Sequence, residues 1–271
     1  MRYLVTAACF LVAAAMAPGA VAAEKTRITW LGHAAFKVET PSGGVLLIDP
    51  WITNPANVEG KAILADMAAV DRILLTHAHP DHVGNAVELA KKTGARLVAP
   101  FELGQQLKAQ GYPADQVGTN GLMNIGGTIS ILDGEVEVLM TRAVHSSGLE
   151  RPGDDDGAPS HYYGSNPVGY RIQVEAGPAI YHAGDTDVFG DMALIRKLSP
   201  VDVMLAPIGG HFTMDPERAA YAVNRLIQPD VVVPMHYGTF GVLEGRPADL
   251  SEHLHEGVTM KDLEVNGAVT F

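Results

Sequence analysis

Apolar and polar positions fall into short runs whose period changes along the chain. From Lys25 onward, Arg27 to Trp30, Phe36 to Glu39 and Val45 to Ile48 read as three strands, with Pro41-Ser42-Gly43-Gly44 as a hairpin connection. Ile73-Leu74-Leu75-Thr76 is an apolar run of the buried-strand type, and Val83 to Thr93 carries helical spacing stopped by Gly94. Leu97-Val98-Ala99 predicts the next strand, and Phe101 to Ala109 a helix ending near Gly111. A β-rich stretch follows at Thr128 to Leu132, Val136 to Ala143, Tyr170 to Glu175 and Ala179 to His182. Then come a helix around Met192 to Lys197, a strand at Val203 to Ala206, a helix capped by Asp215 with Pro216 in its first turn, and a strand at Val231 to Pro234. No repeat of fixed period and no dividing linker is visible, so the pattern predicts one α/β domain of two or four layers.

Residues 1–23 stand apart from this pattern. Arg2 precedes an apolar run from Tyr3 to Met16, Pro18-Gly19 breaks it, and Ala20-Val21-Ala22-Ala23 offers small residues for cleavage. That is the layout of a secretory signal peptide. The run is too short to span a bilayer, and nothing later approaches about 18 continuous apolar residues. The expectation is a mature chain covering residues 24–271, without a membrane span, exported to a bacterial periplasm. The only cysteine, Cys9, lies inside the leader, so stability must come from core burial and bound metal, not from a disulfide. Across the 271 residues, 31 Asp+Glu against 19 Lys+Arg leave a net charge of -12 with no basic cluster. That balance argues against nucleic acid or an anionic membrane surface as partner. Nothing in the pattern specifies an oligomer.

The chemistry lies where strands end. Thr76-His77-Ala78-His79-Pro80-Asp81-His82 packs three imidazoles and one carboxylate directly behind an apolar strand. His77 and His79, two apart in extended backbone, project to the same side and can share a metal. Pro80 and Asp81 turn the chain, so Asp81 and His82 can serve a second metal about 3.5–4 Å away. Other strand ends lead to His145, to Asp185 behind the permissive Gly184, and to His236. Singly each is an ordinary loop residue, but together with the first run they supply donors for two coordination shells.

On these residues the chain resembles the metallo-β-lactamase superfamily over essentially its whole mature length. The run His-x-His-x-Asp-His at His77, His79, Asp81 and His82, followed in order by His145, Asp185 and His236, is similar to the superfamily's ligand set. The resemblance implies a four-layer αββα sandwich in a single domain, with two mixed sheets face to face and helices outside. It implies that His77, His79 and His145 hold one metal and Asp81, His82 and His236 the second, with Asp185 bridging. Trp30-Leu31-Gly32-His33, Ile48-Asp49-Pro50, the stretch from Pro207 to Met214 and Met235-His236-Tyr237-Gly238-Thr239 are similar to a branch of small, uncharacterised metal-dependent hydrolases. The likeness to ascorbate-phosphate lactonase and to phospholipase D-type members is looser. Flavodiiron oxygen reductases, similar in fold, carry a glutamate where this chain has Ala78, which points away from redox chemistry.

Imidazole and carboxylate donors suit two divalent ions, zinc first, with manganese, iron or nickel also accepted. Two such ions acidify a shared water and polarise a substrate oxygen. Asp81 is the expected catalytic residue, orienting that water and taking its proton. The activity implied is metal-dependent hydrolysis of a small-molecule ester, lactone, amide or phosphoester. Two other readings stand beside it. A nuclease of the superfamily is opposed by the acidic charge and the export signal, and a non-catalytic metal-binding or sensor protein would tolerate loss of Asp81. His33 and Asp49 are expected to reach the site or to hold its imidazoles by hydrogen bonds. His211 is a candidate to line the pocket, Tyr237 a candidate oxyanion donor, and His182 reads as a satisfied buried histidine. The segment Ser146 to Pro167, with Asp154-Asp155-Asp156 and Tyr162-Tyr163, reads as a long loop forming a lid whose tyrosines touch substrate. Its acidic tip, and the lack of an arginine placed to clamp a phosphate, favour a neutral ester, amide or lactone.

Overall fold

The computed structural model describes residues 25–151 and 160–271. The leader expected over residues 1–23 and the acidic triplet Asp154 to Asp156 lie outside the described residues. The first half of the chain supplies strands β1 (Arg27–Trp30), β2 (Phe36–Glu39), β3 (Val45–Ile48), β4 (Arg72–Leu74), β5 (Arg96–Pro100) and β6 (Leu122–Met123). Helices α1 (Gly60–Asp66), α2 (Pro80–Val83), α3 (Ala86–Thr93) and α4 (Phe101–Ala109) lie between them. The second half supplies β7 (Thr128–Ile131), β8 (Val136–Arg142), β9 (Gly148–Arg151), β10 (Ser160–Tyr163), β11 (Val168–Val174), β12 (Ala179–His182), β13 (Val203–Pro207), β14 (Val231–Met235), β15 (Thr259–Met260) and β16 (Ala268–Thr270). Its helices are α5 (Met192–Leu198), α6 (Pro216–Tyr221) and α7 (Pro247–His253).

Two seven-stranded sheets result, ordered β16-β1-β2-β3-β4-β5-β6 and β15-β14-β13-β12-β11-β8-β7. The antiparallel meander β1-β2-β3 gives way to parallel pairing at β3-β4-β5, where crossover helices are required. Because successive side chains point to opposite faces, Leu46 and Ile48 enter the core between the sheets, while Leu47 enters a second core with Leu89, Leu103 and Leu107 of α3 and α4. On the other sheet Leu205 turns inward, and Met204 turns outward to Met192, Ala219 and Leu250 of α5, α6 and α7. The central strands are buried on both faces, which is why they read as unbroken apolar runs. Helix, sheet, sheet and helix stack as the four layers that the resemblance implies.

Helices α1 and α7 and the short strands β6, β15 and β16 fall outside the sequence-based expectation, and two further stretches are built differently from it. The helix expected from Val83 to Thr93 is broken, because α2 ends at Val83, Gly84 takes a φ of 42° and α3 restarts at Ala86. A Cβ on Gly84 would lie 2.5 Å from Trp51 Cα, so only glycine lets the chain pass there. The segment from Ser146 to Pro167 carries the hairpin β9–β10, with Leu149 opposite Tyr162 and Gly148 opposite Tyr163. Leu149 is buried, Gly164 N donates to Ser147 O at 2.7 Å, and the amides of Gln106 on α4 and Gln110 just past its end donate to the carbonyls of Tyr163 and Glu150. The segment is held down by backbone acceptors that a pattern of side chains does not reveal. No helix among the described residues is long and apolar enough to cross a membrane.

Candidate metal centre

Asp49 leaves β3 with a φ of 44°, a left-handed conformation that aspartate tolerates better than most residues. It is fully buried, and its Oδ1 accepts from Thr76 N at 2.8 Å while its Oδ2 accepts from Thr76 Oγ1 at 2.6 Å and from His82 Nδ1 at 2.8 Å. A carboxylate here only accepts, so His82 carries a proton on Nδ1 and its Nε2 is left for the site. Thr76 gives its hydroxyl proton to Asp49, so the 3.0 Å contact between Thr76 Oγ1 and His77 Nδ1 is donated by the ring, which leaves His77 Nε2 as an acceptor too. One buried carboxylate therefore sets the orientation of two imidazoles.

Asp185 follows β12 behind Gly184, whose φ of 63° and lack of Cβ let the backbone pass the carbonyl of Val168. Its Oδ2 lies 3.0 Å from His236 Nε2, 3.3 Å from His82 Nε2, 3.5 Å from His145 Nε2 and 3.9 Å from His77 Nε2. His77 Nε2 is in turn 2.9 Å from His79 Nδ1. Among the described residues the donor atoms form three groups, each within 4.8 Å: His77, His79, His145 and Asp185 in one, His33, Asp81, His82 and His236 in a second, and Asp49, His77 and His82 in a third that the hydrogen bonds of Asp49 and Thr76 already tie together. Donors bound at about 2 Å to a common ion sit roughly 3–4 Å apart, so each group has the spacing of a metal site. His82 Nε2, His145 Nε2, both ring nitrogens of His236 and Asp185 Oδ1 are buried without a hydrogen-bond partner. Even at 3.0 Å, His236 is not aligned to donate to Asp185. Buried polar atoms are seldom left so, and a dinuclear metal site is compatible with all of them at once.

The electrostatics follow the same division. Burial holds His77, His79 and His145 below the ordinary imidazole value, with Asp185 only partly opposing it, so these rings are neutral as metal ligands must be. His82 is the exception. Burial works against its charge, but Asp185 and Asp49 outweigh burial and raise its pKa well above the usual range. Asp185 is likewise penalised by burial and nonetheless held far below the carboxylate range by His236 and His82. Asp81 is lowered against its own burial by the hydrogen bond from His33 and the charges of His82 and His33.

A cavity of about 290 Å³ opens beside the cluster, with Pro80, Ser146 and Phe212 facing the donors His79, Asp81, His145, Asp185 and His236. Two wider clefts, of about 590 and 620 Å³, lie elsewhere, bounded by residues such as Lys37, Glu59 and Asp66 or Ser42, Glu135 and Glu175. Neither of them borders the imidazole cluster.

The remaining candidates fall in different places. His33 is buried within 3.1 Å of Asp81 Oδ2. His182 donates from Nε2 to Ala34 O at 2.9 Å and accepts at Nδ1 from Gly184 N, so both nitrogens are used away from the donor groups. His211 is exposed, packs its ring against Phe212 and is absent from the cavity wall, which its neighbour occupies. Tyr237 stacks on Trp30, directs its hydroxyl to Asp262 and is not among the residues lining the cavity. Tyr162 and Tyr163 are exposed on β10 and do not line the cavity, and Tyr163 donates to Asn166 Oδ1 at 2.7 Å. Thr76, Ser146, Phe212 and Thr239 escaped the sequence reading. Thr76 precedes His77 directly, and Phe212 directly follows His211, so adjacency was the only available signal. At Ala78, whose N–H donates to Ser147 Oγ, a larger side chain has no room because Gly164 of the hairpin base packs against it.

A model of the beta-lactamase superfamily domain matches residues 45–237. The chain is 51% identical over 232 residues to a UPF0173 metal-dependent hydrolase of Thermodesulfovibrio yellowstonii, covering 85% of each protein. It is 50% identical over 248 residues to another of Anaeromyxobacter sp. strain K, covering 91% of this chain and 87% of the relative. Among solved structures it is similar to Igni18, a metallo hydrolase from the archaeon Ignicoccus hospitalis, with a TM-score of 0.76 at 36% identity over 91% of this chain and 98% of that one.

Proposed function

The chain belongs to the beta-lactamase superfamily, among its UPF0173 metal-dependent hydrolases, and from that premise we propose that it cleaves a small neutral carbonyl substrate, an ester, lactone or amide. The observation that carries this reading is the wall of the cavity. Among the described residues no lysine or arginine lines it, whereas Pro80 and the half-exposed Phe212 offer apolar surface. A phosphate would face Asp81 and Asp185 without a guanidinium to clamp it, while an acyl group can lie against Phe212. The net charge of -12 further disfavours a nucleic-acid substrate.

In this proposal His77, His79 and His145 hold one ion, Asp81, His82 and His236 the other, and Asp185 lies between, with zinc the favoured metal for the donor set. Such a pair, when bound, supplies a Lewis acid and a water acidified toward neutrality. The chain's own residues do the rest. Asp49 and Thr76 fix the ring orientations, and Asp81 stays ionised with Oδ2 held by His33. With Oδ2 held by His33, Asp81 orients the attacking water and relays its proton toward the leaving group. Phe212 and Pro80 exclude water from one side of the bound acyl group.

The test is a panel of p-nitrophenyl esters, lactones and phosphodiesters with zinc-reconstituted protein. Turnover of esters or lactones at least about tenfold above phosphodiesters is expected, and phosphodiester hydrolysis alone would overturn the substrate assignment. Export is proposed from residues 1–23 alone. Mass spectrometry of the native protein should find a mature start at Ala23 or Glu24, and an intact Met1 would remove that part of the proposal.

A further inference from the structure

His33 is fully buried, so it does not meet substrate, yet its carbonyl and both ring nitrogens are engaged beside the second donor group. Its carbonyl accepts from His236 N at 3.0 Å and from Trp30 Nε1 at 2.9 Å. Its Nε2 lies 3.1 Å from Asp81 Oδ2, its Nδ1 3.0 Å from Thr239 Oγ1, and its ring centroid 3.9 Å from that of His236. It takes a φ of 53°, which places the ring between the helix carrying Asp81 and the loop following His236. Trp51 and Phe240, stacked on each other at 5.7 Å, present their rings edge-on to His33 at 5.3 and 5.7 Å and close it from solvent.

The carboxylate of Asp81 accepts, so His33 Nε2 carries the proton of that bond, and a nitrogen bearing a proton has no lone pair for a metal. In the neutral ring Nδ1 is then the acceptor, and Thr239 Oγ1 donates to it. We propose that His33 is the positioning residue of the second metal site: it pins Asp81 through Oδ2, leaves Oδ1 uncommitted among the described residues, and is itself aligned by Thr239. The inference rests on the dinuclear reading above and deepens it. A hydrogen-bond partner of this kind typically changes metal affinity 10- to 100-fold, which makes the effect measurable without any substrate.

The experiment is a zinc titration, read by elemental analysis and calorimetry, on the full-length protein and its His33→Ala, His33→Gln and Thr239→Val variants, with near-ultraviolet circular dichroism as the folding check. Glutamine carries an N–H at about the reach of Nε2 and should restore the bond to Asp81. The expected result is two metals per wild-type chain, with one ion bound about 10- to 100-fold less tightly in His33→Ala. The other ion should be unchanged, His33→Gln should lie close to wild type, and Thr239→Val should show a smaller loss. Should His33→Ala fail to fold, Thr239→Val carries the test alone, because Thr239 is only half-buried, and unchanged affinity there overturns the inference. A folded His33→Ala that binds both ions as wild type does, or loses both equally, also overturns it while leaving the dinuclear reading in place. A wild-type chain that never holds more than one metal overturns that reading and this inference with it.

Discussion

Asp49 and His82 show how single residues govern this centre, one by accepting three hydrogen bonds and the other by carrying charge between two carboxylates. The protonation pattern has a consequence for stability. His77, His79, His145 and His182 are held below the ordinary value of 6.5 by burial, so at acid pH the unfolded chain binds protons that the folded chain refuses, and stability rises with pH up to about 6.5. His82, raised above 6.5 by Asp185 and Asp49 against the effect of burial, contributes stability that is complete below 6.5 and lost as pH climbs through its raised value. The depressed carboxyl of Asp185 contributes above 3.8 and is lost only in stronger acid. The metal-free chain should therefore be most stable near pH 6.5. Thermal unfolding of chelated protein between pH 5 and 9 checks this, and a Tm that climbs steadily to pH 9 would contradict it. Metal occupancy removes the decline above the maximum, because an ion at Asp185 takes the place of the second proton on His82.

At the scale of elements, the break between α2 and α3 is the clearest case of local geometry serving the site. Gly84 sits two residues beyond His82, at a positive φ and against the backbone of Trp51. Gly84→Ala should cost about 2–3 kcal/mol through combined strain and overlap, and should weaken metal binding in parallel because His82 shifts. Differential scanning calorimetry with and without zinc measures both, and an unchanged Tm would show that the turn is not under this constraint. The same turn marks the limit of what the chain's pattern reveals. Strands β3 and β12 were legible residue for residue because they are packed apolar runs, β1 and β2 because apolar and polar residues alternate along them, and the donors after β4, β8, β12 and β14 were legible because they stand at the ends of strands. Gly84 looked like a tolerated helix interior residue, since its reason lies in Trp51, more than thirty positions earlier. Helices α1 and α7 bury little beyond Leu64 and Leu250, too few positions to establish a helical period. The hairpin β9–β10 was hidden for a related reason, its main anchors being Leu149 and two glutamines, one on α4 and one just past its end.

For the whole molecule, two sheets face each other across one apolar core, and the loops at their ends bring donors from both halves of the sequence to Asp185. His77, His79, Asp81 and His82 come from the first sheet's connections, and His145, Asp185 and His236 from the second's, so the centre exists only when the two sheets are docked. This arrangement couples metal binding to folding of the entire sandwich, because metal that binds only the folded state stabilises it by mass action. Anomalous diffraction at the zinc edge from crystals of the reconstituted protein locates the ions themselves. The dinuclear assignment requires two peaks about 3.5–4 Å apart with Asp185 between them, His77, His79 and His145 around one and Asp81, His82 and His236 around the other. A single peak, or peaks away from Asp185, would contradict it.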